Sequence, residues 1–272
     1  MISLCIKDNH SNIQDFLMKK ISESTIPNIY YSKHNFKIYK NVIIHYVGTD
    51  KDDFYSFMSH VISDTIANFY EPLIIKRLIN SQYFYFDPSD KKAILEEYST
   101  SSDKCDDRNN YYEIYKYIKE NKSIVLDGFV NFRMPNYVAT LDELLENAVS
   151  KFVLDKEYLE FVSLLKIYVD SKIPEPLKVN LIYVNKESIL LDENGDVIPA
   201  HDFDSEYLSD ISFSQNDYAL NTLIGELPQT ITLHLISPKD EFINTLELIF
   251  GERIKICDGC EICSAYKLLN LK

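Results

Sequence analysis

The chain has 272 residues, 46% of them hydrophobic and 13% aromatic, and a formal net charge of −14. That is enough apolar material for one or two domains with a sizeable core, while the acidic balance argues against nucleic acid, because such a surface repels phosphate backbones. Only 6 glycines occur, and no G-x-G-x-x-G or P-loop run is among them, so the loops that cradle nucleotide phosphates are excluded too.

Met1 to Ile6 alternates apolar and other residues and predicts a strand. Ser11 and Gln14 have capping-box spacing ahead of a helix bearing Ile13, Phe16, Leu17 and Ile21. Phe36 to Tyr39 and Val42 to Val47 read as two strands joined by a tight Lys40–Asn41 turn. Thr49 is the predicted cap of a long helix with Phe54, Phe57, Met58, Val61 and Ile62 on one face, with a kink or break expected at Pro72. Asp87–Pro88, a cap residue followed by a first-turn proline, starts another short helix. A polar loop containing Cys105 follows, then a helix carrying Tyr111, Tyr112, Tyr115 and Ile118.

The stretch from Thr140 to Asp170 carries the longest apolar stripe. Leu141, Leu144, Leu145, Ala148 and Phe152 recur at spacings of 3 and 4, and Tyr158, Phe161, Leu165 and Tyr168 repeat the pattern. This predicts one helix, or two meeting near Asp155, begun by a Thr140/Glu143 capping box and packed along that side.

Pro174 and Pro176 form a hinge. Leu177 to Val184 and Ser188 to Leu191 read as strands, followed by a turn at Asn194–Gly195. A calcium loop at Asp192–Asp196 fails, because the glycine comes too early and no ligating Glu follows at the required offset. Asn216 to Leu227 fits a helix. Ile231, Leu233 and Leu235 alternate along a strand, Ser237 and Pro238 open a helix with Phe242, Leu246, Ile249 and Phe250 on its buried face, Gly251 ends it, and Arg253 to Ile256 returns as a strand. That spacing predicts a β-α-β crossover.

The charge is uneven: from Glu187 to Pro238 no Lys or Arg occurs, which reads as a solvated acidic face or as a site for a cation or basic partner. No secretory signal is visible, since Lys7 and Asp8 cut the apolar start short. No run is long and apolar enough for a transmembrane segment. The 5 cysteines are an odd number and three crowd near the C-terminus. That is not a disulfide framework, and a reducing cytoplasmic location is expected.

Chemistry concentrates in Cys257-Asp258-Gly259-Cys260-Glu261-Ile262-Cys263. Three readings stand. The triplet Cys257, Cys260 and Cys263 binds zinc or an iron–sulfur centre, with a fourth ligand from Cys5, Cys105, His201, His234 or a partner chain. Alternatively Cys257 and Cys260 are a dithiol redox pair, a reading weakened because they follow a strand rather than clearly opening a βαβ helix. Otherwise the cysteines are inert residues of a short turn. The histidines offer less: His60 is expected to be exposed on its helix, and a hydrolase built on His201, Asp202 and Asp204 would need those three to converge.

Three local patterns, in order, resemble the YtxC-like family: Asp127-Gly128-Phe129-Val130-Asn131-Phe132-Arg133, then Asp155-Lys156-Glu157-Tyr158-Leu159-Glu160-Phe161 with Leu164-Leu165, and Ile256 to Cys263. The likeness is good from about Ile124 to Ser264 and looser before. Met134–Pro135 departs from the family's pattern where the helix is otherwise expected to continue. The resemblance implies a sporulation protein of endospore-forming bacteria and brings no reaction, cofactor or partner with it.

The expected fold is α+β: an N-terminal strand-helix-hairpin part, a helical middle, and a C-terminal mixed sheet ending in a β-α-β unit. The regions expected are 1–122, 123–172 and 173–272. The leading functional expectation is a non-catalytic cytoplasmic factor acting through a protein partner or self-association. The alternative is a metal-binding or redox protein using Cys257, Cys260 and Cys263.

Overall fold

The structure, a computed structural model, describes residues 1–8, 11–37, 40–101, 107–199 and 214–269. The fold is α+β, in two compact units, Met1–Leu154 and Asp155–Lys272.

The first unit opens as a strand, a helix and a hairpin: β1 (Ile2–Asp8), α1 (Ser11–Ser22), β2 (Ile29–Asn35) and β3 (Lys40–Tyr46). After them come α2 (Lys51–Thr65), α3 (Glu71–Gln82), α4 (Pro88–Thr100), α5 (Asp107–Asn121), β4 (Ser123–Val125), α6 (Leu126–Arg133) and α7 (Pro135–Ser171), whose first half belongs here. The sheet order is β2-β3-β1-β4, with β1 antiparallel to β3 and parallel to β4. Alternation along β1 turns Leu4 and Ile6 inward, and they meet Val42 and Ile44 of β3, Ile13, Leu17 and Ile21 of α1, and the buried side of α2.

Several local details depart from the expected ones. The hairpin's first strand is Ile29–Asn35, and Lys40 and Asn41 lie within β3 rather than in a turn; of the strand expected over Phe36–Tyr39, residues 38 and 39 lie outside the described residues. An edge strand packed on one side only leaves most of β2 exposed, and the apolar alternation that marks a strand is therefore weak there. Gln14 does not cap α1: its side chain is buried, with Nε2 at 3.5 Å from the Asn41 carbonyl. Asp50, not Thr49, caps α2, accepting from the N–H groups of Asp52 and Asp53. Asp87 caps α4 as expected, and Pro88 is its first residue.

The break expected at Pro72 takes the form of a π-helical turn, Ile66–Tyr70, between α2 and α3. Its closing N–H, from Glu71, reaches the Ile66 carbonyl five residues back. The wider turn lets the proline ring pass the preceding carbonyl, which an unbroken α-helix would not allow.

Met134–Pro135 separates α6 from α7, and Pro135 is the first residue of α7. No capping box forms at Thr140: it lies within the helix, and its hydroxyl donates back to the Asn136 carbonyl. Leu141, Leu145, Ala148 and Val149 are buried in the first unit's core. From Asp155 onward the expected stripe is not the buried one. Phe161 is 57% exposed, and Tyr158 and Tyr168 are exposed as well, while Val162 and Val169 enter the second unit's core with Leu165 packed beside them. Among the described residues no helix is long and apolar enough to cross a membrane.

The second unit holds the rest of α7, then β5 (Glu175–Val184), β6 (Glu187–Leu191), α8 (Gln215–Glu226), β7 (Pro228–Leu235), α9 (Glu241–Phe250), β8 (Ile254–Ile256) and α10 (Glu261–Leu269). The sheet is mixed, in the order β6-β5-β7-β8: β6 is antiparallel to β5, while β5, β7 and β8 are parallel. β7-α9-β8 is the expected crossover. Ile243, Leu246, Ile249 and Phe250 of α9 cover Val179, Leu181, Ile231 and Leu233 of the sheet. The helix ends at Gly251, whose φ of +50° suits glycine. Its cap is Asp240 rather than Ser237, and the Ser237 hydroxyl instead accepts from the Asn185 N–H.

Candidate metal centre

The site is assembled at the end of β7. Strand alternation that sends Leu233 into the core sends His234 to the other face, where it is only 3% exposed. β8 runs parallel beside β7, pairing Leu233 with Ile256. The Cys257 N–H then donates to the Leu233 carbonyl at 2.9 Å, which holds the first cysteine next to His234. Gly259, at φ +123°, turns the chain back, a conformation that side chains rarely adopt. Cys260 immediately precedes α10, and Cys263 lies in its first turn, buried.

Four donor atoms converge. Nδ1 of His234 stands 3.4 Å from both Cys260 Sγ and Cys263 Sγ. Cys263 Sγ is 3.9 Å from that of Cys260 and 3.8 Å from that of Cys257. All four atoms lie within 4.8 Å of one another. A tetrahedral zinc, with Zn–S of about 2.3 Å and Zn–N of about 2.0–2.1 Å, sets S···S edges at roughly 3.8 Å and N···S edges at roughly 3.5 Å. These four distances therefore fit one mononuclear ion. An iron–sulfur cluster divides its four ligands among two or more irons, whereas four donors this close suit a single ion.

The imidazole is oriented from behind. Asn180, on β5, donates from Nδ2 to the Asp192 carbonyl at 3.2 Å, which leaves its Oδ1 facing His234 Nε2, also at 3.2 Å. An amide oxygen accepts, so Nε2 carries the proton and Nδ1 offers its lone pair to the cysteine side. Asp192 is itself fixed by the predicted Asn194–Gly195 turn. Its Oδ1 accepts from the N–H groups of Asn194 and Asp196, and Gly195 sits at φ +88°.

The electrostatics suit a cation. Burial pushes His234 below its ordinary value, favouring the neutral ring that a metal needs. The Cys263 N–H, the largest influence on Cys260, acts with that of Ile262 to hold its thiol low against partial desolvation. The start of α10 thus stabilises a thiolate there. At Cys257 the Gly259 N–H lowers the thiol, at 3.4 Å from its sulfur, but desolvation and the two neighbouring thiols carry the net shift upward. A bound cation would reverse that mutual repulsion.

Of the candidates for the fourth ligand that lie among the described residues, His234 is the one that joins the triplet. Cys5 lies in β1 of the other unit, its thiol pushed up by burial. Cys105, His201, Asp202 and Asp204 lie outside the described residues, so the hydrolase grouping is not among the geometry described. His60 is exposed, as expected, and packs on Tyr111 with ring centroids 4.4 Å apart. The cysteine pair follows β8, and Cys260 directly precedes α10, the last element of the second unit, so the pair does not open a βαβ helix. Asn180 was not legible as a site residue. Its only signal is a polar amide among the apolar residues of a buried strand.

A model of the YtxC-like family matches residues 56–255 of the chain. The match starts well before Ile124, takes in Asn180 and His234, and stops short of Cys257. The chain is also similar to a curated protein named "Uncharacterized protein YtxC" from Bacillus subtilis (strain 168), at 23% identity over 219 residues, which is 70% of this chain and 77% of the relative. No solved structure matches it.

Proposed function

The chain belongs to the YtxC-like family, and from that premise we propose that it is a non-catalytic cytoplasmic sporulation protein whose C-terminal segment is locked by one zinc ion. The ligands are His234, Cys257, Cys260 and Cys263. The observation that carries this reading is the convergence of those four donors at near-tetrahedral spacing. The role assigned to the metal is structural. Four protein ligands close the coordination shell and leave no open position for substrate or activated water. The ion joins β7, the turn after β8 and the first turn of α10, the last of which otherwise rests on little besides β7.

The family resemblance supports the sporulation assignment, and four free cysteines among the described residues, with a non-disulfide pattern, support a reducing location. Protein contact is supported by an exposed row on the second unit's part of α7: Phe161, Leu164 and Tyr168, with Leu164 65% exposed. Spacings of three and four give that row the period of a helix-pairing seam. The acidic charge supports a partner other than nucleic acid.

Elemental analysis of anaerobically purified protein tests the zinc assignment. One zinc per chain is expected, and none after Cys257, Cys260 and Cys263 are replaced together by serine. Metal-free protein with three titratable C-terminal thiols and an unchanged α10 would overturn it.

A further inference from the structure

A second site lies in the first unit, away from the cysteines. Between α3 and α4 runs a groove of about 600 Å³, within the size range of small-molecule pockets. Its floor and walls are apolar: Pro72, Ile75 and Ile79 from α3, and Pro88 and Leu95 from α4. Ile75 and Ile79 are buried at its base. Polar bridges cross both ends. At one, the carboxylate of Glu71 accepts from the hydroxyls of Tyr98 and Tyr137, each at 2.8 Å, so both its oxygens are engaged. At the other, Lys91 Nζ donates to Asn80 Oδ1 at 3.3 Å. The span from Glu71 to Asn80 is about 13 Å at about 1.5 Å per helical residue.

The rim is basic in a chain of net charge −14. Lys76 and Lys92 stand exposed on opposite walls, with Lys91, itself part of the second bridge, half-buried. Lys92 has an i,i+4 carboxylate, Glu96, only at 3.7 Å and in solvent, a pair too weak to neutralise the rim.

We propose that this groove binds a single-chain amphipathic anion, an aliphatic tail capped by one carboxylate or comparable acidic head. The tail lies along Ile75, Ile79 and Leu95, and the head meets the lysine rim. The apolar walls select the tail, the two end bridges limit its length to one medium chain, and the three lysines select the sign of the head. Because both ends are bridged, the groove suits a compact ligand better than a peptide helix, which would have to pass over them.

Binding of dodecanoate, below its micelle concentration, to the full-length protein tests this by calorimetry and by amide chemical shifts. Saturable binding at one per chain is expected, with shifts centred on α3 and α4. Dodecyltrimethylammonium, with the same tail and the opposite charge, is expected to bind at least about tenfold more weakly, as one surface charge contact allows. Lys76→Glu with Lys92→Glu should cancel or reverse that preference without altering the melting curve. Leu95→Trp, which fills the groove, should abolish binding of both. Equal binding of the two amphiphiles, shifts centred elsewhere, or preferential capture of an acidic amphipathic peptide or of anionic phospholipid vesicles would overturn the proposal.

Discussion

Asn180 Oδ1 lies 3.2 Å from Nε2 of His234, while Nδ1 of the same ring faces Cys260 and Cys263. One amide thus decides which nitrogen keeps its proton. Asn180→Ala is expected to weaken zinc affinity by about 10- to 100-fold, the usual effect of losing a ligand's outer hydrogen bond, with stoichiometry unchanged at saturation. Competition against a chromophoric chelator measures it.

Stripping the metal should loosen one segment selectively. β8 has three residues, and α10 follows it at once. In zinc-free protein, hydrogen exchange is expected to accelerate across 254–269, while β1 and β3 keep their protection. Added zinc should restore about 2.7 kcal/mol of stability when its free concentration is a hundredfold above Kd.

Asp240 supplies a pH-dependent contribution. The Tyr183 hydroxyl donates to its carboxylate, and that bond, opposed by partial desolvation and aided by the Ile243 and Phe242 N–H groups, holds the carboxyl below the usual range. The hydroxyl is pushed up to about 12, first by burial and then by the carboxylate. A depressed folded value stabilises above the unfolded pKa of about 3.9 and is lost as pH falls through the lower folded one. Tyr183→Phe should therefore flatten the loss of stability between pH 5 and 2. Urea midpoints on metal-free samples of both proteins check this.

Two glycines predict opposite outcomes. A Cβ at Gly48 would overlap the ring of Tyr46, which is buried and stacks on Phe54 with centroids 5.1 Å apart. Gly48→Ala should cost about 1–3 kcal/mol. At Gly225, inside α8, nothing lies within 4 Å of the added atom, and Gly225→Ala should gain about 0.5–1 kcal/mol. Thermal melts of the pair separate the two cases.

The exposed row on α7 yields a test of contact without folding. Phe161→Glu and Leu164→Glu should leave stability within about 0.5 kcal/mol, since neither side chain is buried. Sedimentation should show self-association of the parent chain and its loss in the variants.

What could be read from the residues was mainly what burial on one side imposes. β7, α9 and β8 came through because Ile231, Leu233, Leu246 and Ile249 all answer to one core. β2 did not, since Tyr30 and Tyr31 on that edge face solvent. Periodicity also proves a helix without naming what covers it, and so Phe161 and Tyr168 promised a packed side that Val162 and Val169 supply instead. Caps slipped by one to three residues wherever several short polar side chains adjoin, as at Thr49–Asp50 and Ser237–Asp240. The cysteine triplet was plain from its spacing. Its histidine was one name among several, because only strand pairing brings residues 234 and 257 side by side.

The π-helical turn at Ile66–Tyr70 makes the helical rod intolerant of indels. One residue in an α-helix is worth about 100° of rotation. Adding a position there would swing Ile74, Ile75 and Ile79 away from the interior, carrying the α3 wall of the lysine-rimmed groove with them, while removing one would restore regular winding and press the Pro72 ring against the carbonyl four residues back. Chain length at that bend is therefore under tighter constraint than the identity of its side chains.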